Sequence, residues 1–126
     1  MKKTIFYKCE HCGNLFLTIN NGQVNPVCCG EKMKKLIAGT IDASVEKHVP
    51  MVKITDNLVM VDVGSIPHPM IEEHRIEWIY VETIKGGLLK RLDIGAEPKE
   101  IFSIVDDEVI AVYEYCNLHG LWEFVI

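Results

Sequence analysis

Apolar residues occur along this chain in short runs, and turn-forming residues separate one run from the next. Residues 51–55 and 58–63 are two such runs on either side of Asp56-Asn57, which predicts a β-hairpin. The long apolar stripe of an extended helix, repeating every three to four residues, is absent. The pattern therefore predicts a mainly β protein.

Residues 75–83 predict a longer strand, because apolar and polar side chains alternate there. Strict alternation assigns one set of side chains to each face: Ile76, Trp78 and Tyr80 to one, and Arg75, Glu77, Ile79 and Val81 to the other.

Further runs continue to the end of the chain, at residues 88–94, 100–105, 109–115 and 121–125. The turn Lys85-Gly86-Gly87 introduces the first of them. With the hairpin and the strand at 75–83, the total is about seven short strands at regular spacing. We therefore predict an immunoglobulin-like β-sandwich over residues 38–126.

The preceding segment, residues 1–37, is too short to bury a sufficient core, so a metal or disulfides must stabilise it. Residues 15–19 predict a short strand, and Asn20-Asn21-Gly22 predicts a turn that reverses it. We predict a small separate domain here.

Composition excludes several classes of protein. Apolar residues make up 48% of the chain, which is enough for a core, but no run approaches the ~20 residues of a membrane span. The charged N-terminus lacks the apolar stretch of a signal peptide, so we expect a cytoplasmic protein. The net charge of −5, without a basic stripe, argues against a nucleic-acid partner.

The cysteines fall into a group of four near the N-terminus and a single one near the other end. Cys9, Cys12, Cys28 and Cys29 form the group, and Cys116 stands alone. Disulfides would need an oxidising compartment, and adjacent cysteines bridge poorly, so metal ligation is the better interpretation.

Four thiolates from a C-x₂-C motif and a vicinal pair bind iron or zinc tetrahedrally. A structural zinc knuckle without a redox role is the alternative to an iron centre. His11 lies inside the C-x₂-C loop, and with four thiolates available we expect it to face solvent.

The remaining histidines and the remaining cysteine predict a second metal site. Its five ligands would be His48, His68, His74, Cys116 and His119. Prolines near the first two restrict the loops that present them, and Cys116 and His119 are three residues apart. Four imidazoles and one thiolate exceed the four ligands that zinc prefers, and favour a redox-active metal with an open sixth position.

Three stretches carry a resemblance to a known family. They are Glu46-Lys47-His48-Val49-Pro50, Gly64-Ser65-Ile66-Pro67-His68-Pro69-Met70 with the later His74, and Glu114-Tyr115-Cys116-Asn117-Leu118-His119-Gly120. Their order and spacing resemble the desulfoferrodoxin-type superoxide reductases, and the likeness covers nearly the whole chain. The N-terminal cysteines resemble the desulforedoxin-like domain of the same family.

The resemblance implies two iron ions per chain, one in each ligand set, although expressed protein can acquire zinc in the four-Cys site. The catalytic Fe(II) would be square-pyramidal, with the histidines equatorial and Cys116 axial. Lys47 would attract superoxide and stabilise the reduced product, and Glu46 would bind the oxidised iron. For an arbitrary Glu-Lys pair, a solvated surface role is the alternative.

The implied function is the one-electron reduction of superoxide to hydrogen peroxide in oxidative-stress defence. The implied partners are superoxide and a small electron donor such as rubredoxin, and the family is commonly homodimeric. The alternative is a non-catalytic electron carrier that works through the four-Cys iron. Trp122 is expected in the core, and Tyr115 near the catalytic iron.

Overall fold

The computed structural model describes residues 2, 4–41 and 43–126. Met1, Lys3 and Asp42, which fall inside the two predicted domains, lie outside the described residues. The chain divides into two compact units, Met1–Ile37 and Ala38–Ile126. No helix of the described residues combines the length and the apolar character needed to cross a membrane.

The described residues of the first unit include five short strands. They are β1 (Phe6–Lys8), β2 (Leu15–Leu17), β3 (Val27–Cys28), β4 (Glu31–Lys32) and β5 (Lys34–Lys35). The strand predicted at 15–19 is present as β2, but it pairs with β1 and not with a strand beyond Asn20-Asn21-Gly22. The described residues form the sheet β2-β1-β5 and the hairpin β3-β4, and the small core cluster contains Tyr7, Cys9 and Met33, with Ile5 and Cys28 packed against it.

In the described part of the second unit, a single helical turn, α1 (Val45–His48), precedes seven strands. They are β6 (Pro50–Thr55), β7 (Leu58–Val63), β8 (Ile76–Thr83), β9 (Gly87–Arg91), β10 (Lys99–Ser103), β11 (Val109–Cys116) and β12 (Gly120–Val125). They form two antiparallel sheets, β10-β7-β6 and β12-β11-β8-β9. The mainly β prediction and the immunoglobulin-like sandwich are confirmed.

The hairpin predicted at Asp56-Asn57 joins β6 and β7, which pair from Pro50 with Val63 to Thr55 with Leu58. Asp56 adopts a left-handed backbone with φ of 53°, a conformation that aspartate tolerates in tight turns. This pairing also places the residues before β6 beside the residues after β7, where two of the predicted ligands lie.

The predicted alternation of β8 is wrong at its start. Ile76 lies in the core cluster with Ile79 and Val81, not on the face of Trp78 and Tyr80. The ladder with β11 pairs Trp78 with Tyr115 but Ile76 with Cys116, so the register shifts by one residue. A bulge of this kind redirects the side chains on one side of it, which a strict alternation cannot anticipate.

Candidate metal centres

Two groups of potential metal ligands are present in the described part of the chain, one in each compact unit. The ligand atoms within each group lie within 4.8 Å of one another. The second unit brings together His48, His68, His74, Cys116 and His119, and the first unit brings together Cys9, Cys12, Cys28 and Cys29. These are the two ligand sets predicted from the sequence.

Loops and strand ends position the five side chains of the second unit. His48 ends α1, and His68 follows β7 in the chain. His74 lies just before β8, where it forms an isolated bridge with Ile71. Cys116 ends β11, and His119 lies in the turn that leads to β12. The antiparallel sheets thus bring together residues that are far apart in sequence at the strand ends.

The ring nitrogens of this cluster face one another at short distances. His48 Nε2 lies 3.0 Å from His68 Nε2 and 3.2 Å from His119 Nδ1. The Cys116 sulfur lies 3.4 Å from His68 Nε2 and 3.8 Å from His119 Nδ1.

Hydrogen bonds to backbone carbonyl oxygens fix the tautomers of two of these histidines. His48 Nδ1 lies 2.7 Å from the Ser44 carbonyl oxygen, and His68 Nδ1 lies 2.7 Å from the Pro69 carbonyl oxygen. A carbonyl oxygen only accepts, so each Nδ1 carries the hydrogen and each Nε2 presents a lone pair to the cluster. His74 Nε2 is buried and has no hydrogen-bond partner among the described residues. Such convergent, unpartnered lone pairs fit a metal ion.

Electrostatics favour the neutral imidazoles that metal binding requires. Burial lowers the pKa of His48, His68 and His74, and that of His68 falls to about 4. Positive charge on neighbouring rings lowers these pKa values further. Burial also raises the pKa of the Cys116 thiol. Cys116 would therefore need a bound cation to become a thiolate, because metal binding displaces the thiol proton.

The donor set also narrows the choice of metal. Zinc is usually held by four ligands in a tetrahedron, whereas this cluster offers four nitrogens and one sulfur. Imidazole and thiolate donors in this number suit a redox-active ion such as iron.

Glu46 and Lys47 precede the first histidine within α1. The Glu46 side chain is exposed, and Lys47 is partly buried. The Ser44 hydroxyl lies 3.4 Å from a Glu46 carboxylate oxygen. Positive charge on Lys47 is among the causes that lower the pKa of His74, after burial and the charge of His119, so its field reaches the cluster.

Trp122 contributes more to the cluster than the sequence indicates. It is buried, as expected, but its ring stacks on His48 with the centroids 5.0 Å apart. Its Nε1–H donates to the His119 carbonyl oxygen at 3.0 Å. Tyr115 is buried and stacks on Trp78 at 5.7 Å. Trp122 therefore supports two of the predicted ligands, His48 and His119. Its position three residues after His119 is the sequence signal for this role.

Asn117 is a second residue that sequence reasoning missed. Its side-chain oxygen accepts from the Arg75 N–H at 2.8 Å, and its amide donates to the Glu73 carbonyl oxygen at 3.0 Å. These bonds connect the Cys116–His119 turn to the segment that carries His74. Asparagine between two ligands is a sequence signal for such a connection, since its side chain both donates and accepts.

In the first unit, the sulfurs of Cys12 and Cys28 lie 3.6 Å apart. The Cys12 backbone N–H points at the Cys9 sulfur at 3.5 Å, and this bond is the main cause that lowers the Cys9 pKa to about 6. Sharing of protons with Cys12 and the other sulfurs raises the pKa of Cys29 to about 12. Left-handed backbone at Cys29 and Gly30 lets the vicinal pair turn both sulfurs into the group.

His11 remains outside this group. Its Nε2 lies 3.0 Å from a Glu31 carboxylate oxygen, and both side chains are well exposed. The hydrogen bond to Glu31 raises the His11 pKa. His11 therefore faces solvent in an ion pair.

Family comparisons cover both units of the chain. The sequence model of the family described as desulfoferrodoxin matches residues 40–125. The family model described as desulfoferrodoxin, N-terminal domain, matches residues 2–36.

Individual relatives give the same result. A curated protein named desulfoferrodoxin from Nitratidesulfovibrio vulgaris is 47% identical over 117 residues, which are 93% of this chain and 92% of that protein. A protein named superoxide reductase from Pyrococcus horikoshii is 34% identical over 96 residues, covering 62% of this chain and 84% of its own length. The crystal structure of the superoxide reductase from Treponema pallidum superposes with a TM-score of 0.82 at 36% identity, over 98% of this chain and 99% of that one.

Proposed function

The chain belongs to the desulfoferrodoxin family, and from this premise we propose that it is a superoxide reductase. The two ligand groups match the two-iron arrangement of that family. The reaction would be the reduction of superoxide by one electron, with uptake of two protons, to hydrogen peroxide. The observation that carries the proposal is the convergence of four imidazoles and one thiol in the second unit.

The five side chains of that group would hold the catalytic iron. Iron(II) bound there would supply the electron and become iron(III). The ring nitrogens that face the cluster remain unprotonated because burial disfavours charged imidazoles. With neutral imidazoles and a Cys116 thiolate, a site that holds iron(II) would have a net charge of +1, which would attract an anionic substrate despite the chain's net charge of −5.

Lys47 would add a second positive charge near the substrate. Its ammonium group accelerates capture of an anion and stabilises the reduced product by a charge-assisted hydrogen bond. Glu46, on the same helical turn, would supply an anionic ligand once the metal is oxidised. The Glu46 side chain is exposed, and the contact described for its carboxylate is the one with the Ser44 hydroxyl at 3.4 Å. This exposure supports the proposed role.

The four-Cys group would hold the second iron and serve electron transfer. Cys12 and Cys29 are exposed, so an electron donor can approach the sulfurs closely. A purely structural zinc site would need no such access. We propose a small carrier protein such as rubredoxin as the donor.

Homodimerisation and a cytoplasmic location complete the proposal. The first unit leaves large apolar side chains exposed around a very small core, among them Ile19 at 95% and Val24 at 78%. A second copy of the chain would cover such residues. All five cysteines are free thiols, which suits a reducing compartment.

Pulse radiolysis of the iron-loaded, reduced protein tests the activity directly. We expect a second-order reaction with superoxide that yields one peroxide per ferrous centre and no oxygen. Release of oxygen in equal amount to peroxide would instead indicate dismutation. Protein that is loaded with iron only at the four-Cys site serves as the control, and a full reaction there would favour the electron-carrier alternative.

A further inference from the structure

The turn at residues 64–66, which follows β7, contacts the backbone of Glu46 and Lys47, which precede β6 at the same end of the hairpin. The Glu46 carbonyl oxygen accepts two hydrogen bonds from this turn, from the Ile66 N–H at 2.9 Å and from the Ser65 hydroxyl at 3.1 Å. Both donors therefore converge on one backbone atom of α1.

The sequence of α1 explains why that oxygen needs an external partner. In a continuing helix, the Glu46 carbonyl would accept from the N–H four residues later. That residue is Pro50, which has no N–H. Ser65 and Ile66 supply the missing donors, so the orphan carbonyl at the end of the helical turn is satisfied.

The helical turn cannot hold its own geometry. It has four residues, a length at which an isolated helix does not form in water, and its Ser44 cap makes no side-chain hydrogen bond to the backbone. At its ends, the Val49 N–H donates to the Val45 carbonyl oxygen at 2.9 Å, and the Lys47 N–H donates to the Ser44 carbonyl oxygen at 3.3 Å. Tertiary contacts must therefore fix the position of Lys47.

Gly64 makes the close approach of the two segments feasible. A Cβ on Gly64 would lie 2.5 Å from the Glu46 carbonyl oxygen and 3.0 Å from backbone atoms of Lys47 and Val49. The backbone of Gly64 is not left-handed, so space alone requires glycine here. The next ligand is tied to the residue just before this turn, because the His68 N–H donates to the Val63 carbonyl oxygen at 3.1 Å.

We propose that Gly64, Ser65 and Ile66 form a clamp that positions Lys47 over the metal cluster for capture of superoxide. The proposal rests on the proposed function and adds positioning residues to it. Ser65 and Gly64 touch neither substrate nor metal in this assignment, since they act through the backbone of Glu46 and Lys47.

The test compares Ser65→Ala with Ser103→Ala, which alters an exposed serine at the end of β10. In the iron-loaded protein, Ser65→Ala should slow second-order capture of superoxide about threefold through loss of one hydrogen bond. The ferric thiolate absorption should stay unchanged, because the metal ligands are intact. Ser103→Ala should behave like the wild type.

A double variant identifies the residue through which the clamp acts. In a Lys47→Ala background, Ser65→Ala should slow capture no further, since the side chain that it positions is gone. An additional threefold loss in that background, or wild-type capture in Ser65→Ala alone, would overturn the proposal.

Hydrogen–deuterium exchange separates the clamp from the enzymatic function. Gly64→Ala should increase exchange in peptides that cover residues 44–49 and 64–66, whereas Gly86→Ala should not, because a Cβ on Gly86 meets nothing within 4 Å. If Gly64→Ala increases exchange but the wild-type protein does not react with superoxide, the structural role of the clamp is retained and the proposed function is rejected. Unchanged exchange and unchanged capture in an active protein would reject the clamp.

Discussion

The Nε2 atoms of His48 and His68 lie 3.0 Å apart, although each ring already donates its Nδ1 hydrogen to a backbone carbonyl oxygen. Two lone pairs therefore face each other across a hydrogen-bonding distance with no proton between them. His48 is 2% exposed and His68 is 3% exposed, so water cannot enter between the rings and relieve this repulsion. A cation bound between the rings converts the repulsion into coordination, so folding of the second unit should depend on metal.

Metal removal should therefore lower the thermal stability of the protein. A ligand that binds only the folded state at a concentration far above its dissociation constant adds several kcal/mol, so we expect the unfolding temperature to fall by at least about 10 °C. Calorimetry before and after chelation measures this shift. Readdition of ferrous iron should restore it, and an unchanged unfolding temperature after complete metal loss would contradict the proposed site.

Residue types and spacing were sufficient to predict both ligand sets and the β-hairpin at Asp56-Asn57. The helical conformation of α1 could not be predicted, because four residues are too few to show helical periodicity. Its conformation depends on donors at Ser65 and Ile66, which lie nearly twenty residues later in the chain.

Other features depend on tertiary contacts in the same way. The bulge that turns Ile76 into the core appears only when β8 pairs with β11. The stacking of Trp122 on His48 joins residues from opposite ends of the second unit. Local pattern carries no information about such pairings, because they depend on how the strands pack.

Cys12→Ser should remove the iron of the first unit and leave the catalytic site working. The two ligand sets share no residue and lie in different compact units. Absorption from the four-Cys iron should disappear, whereas pre-reduced protein should react with superoxide at the wild-type rate. Circular dichroism checks that the variant is folded. A folded variant that has lost superoxide reduction would show that the sites are not independent.

Cys116→Ser should strongly impair superoxide reduction. Serine keeps a small polar side chain but loses the soft thiolate donor that tunes the metal. We expect the ferric charge-transfer band of the catalytic site to vanish, with iron content measured in parallel. A band that persists in the iron-loaded variant would exclude Cys116 as the sulfur ligand.

Glu46→Ala should leave the capture of superoxide nearly unchanged, because a ligand to the oxidised metal acts after electron transfer. The ferric resting spectrum should shift as water or hydroxide replaces the carboxylate. Glu108→Ala, which removes another exposed carboxylate of the second unit, serves as the control. If both variants keep the wild-type ferric spectrum, Glu46 is a solvated surface residue.

Lys47→Ala should slow the capture of superoxide by about tenfold, equivalent to ~1.4 kcal/mol in activation free energy. A cation beside the cluster attracts the anion, and salt screens this attraction, so the variant should also depend less on ionic strength. Lys53→Ala, which removes an exposed charge from β6, should retain the wild-type rate and salt dependence. Lys47→Arg should retain most of the rate, because the charge is preserved. Pulse radiolysis of the three variants across a salt series measures these differences. Wild-type capture by Lys47→Ala at every ionic strength would assign Lys47 to the solvated surface, since an attracting charge near the substrate cannot be removed without slowing the encounter.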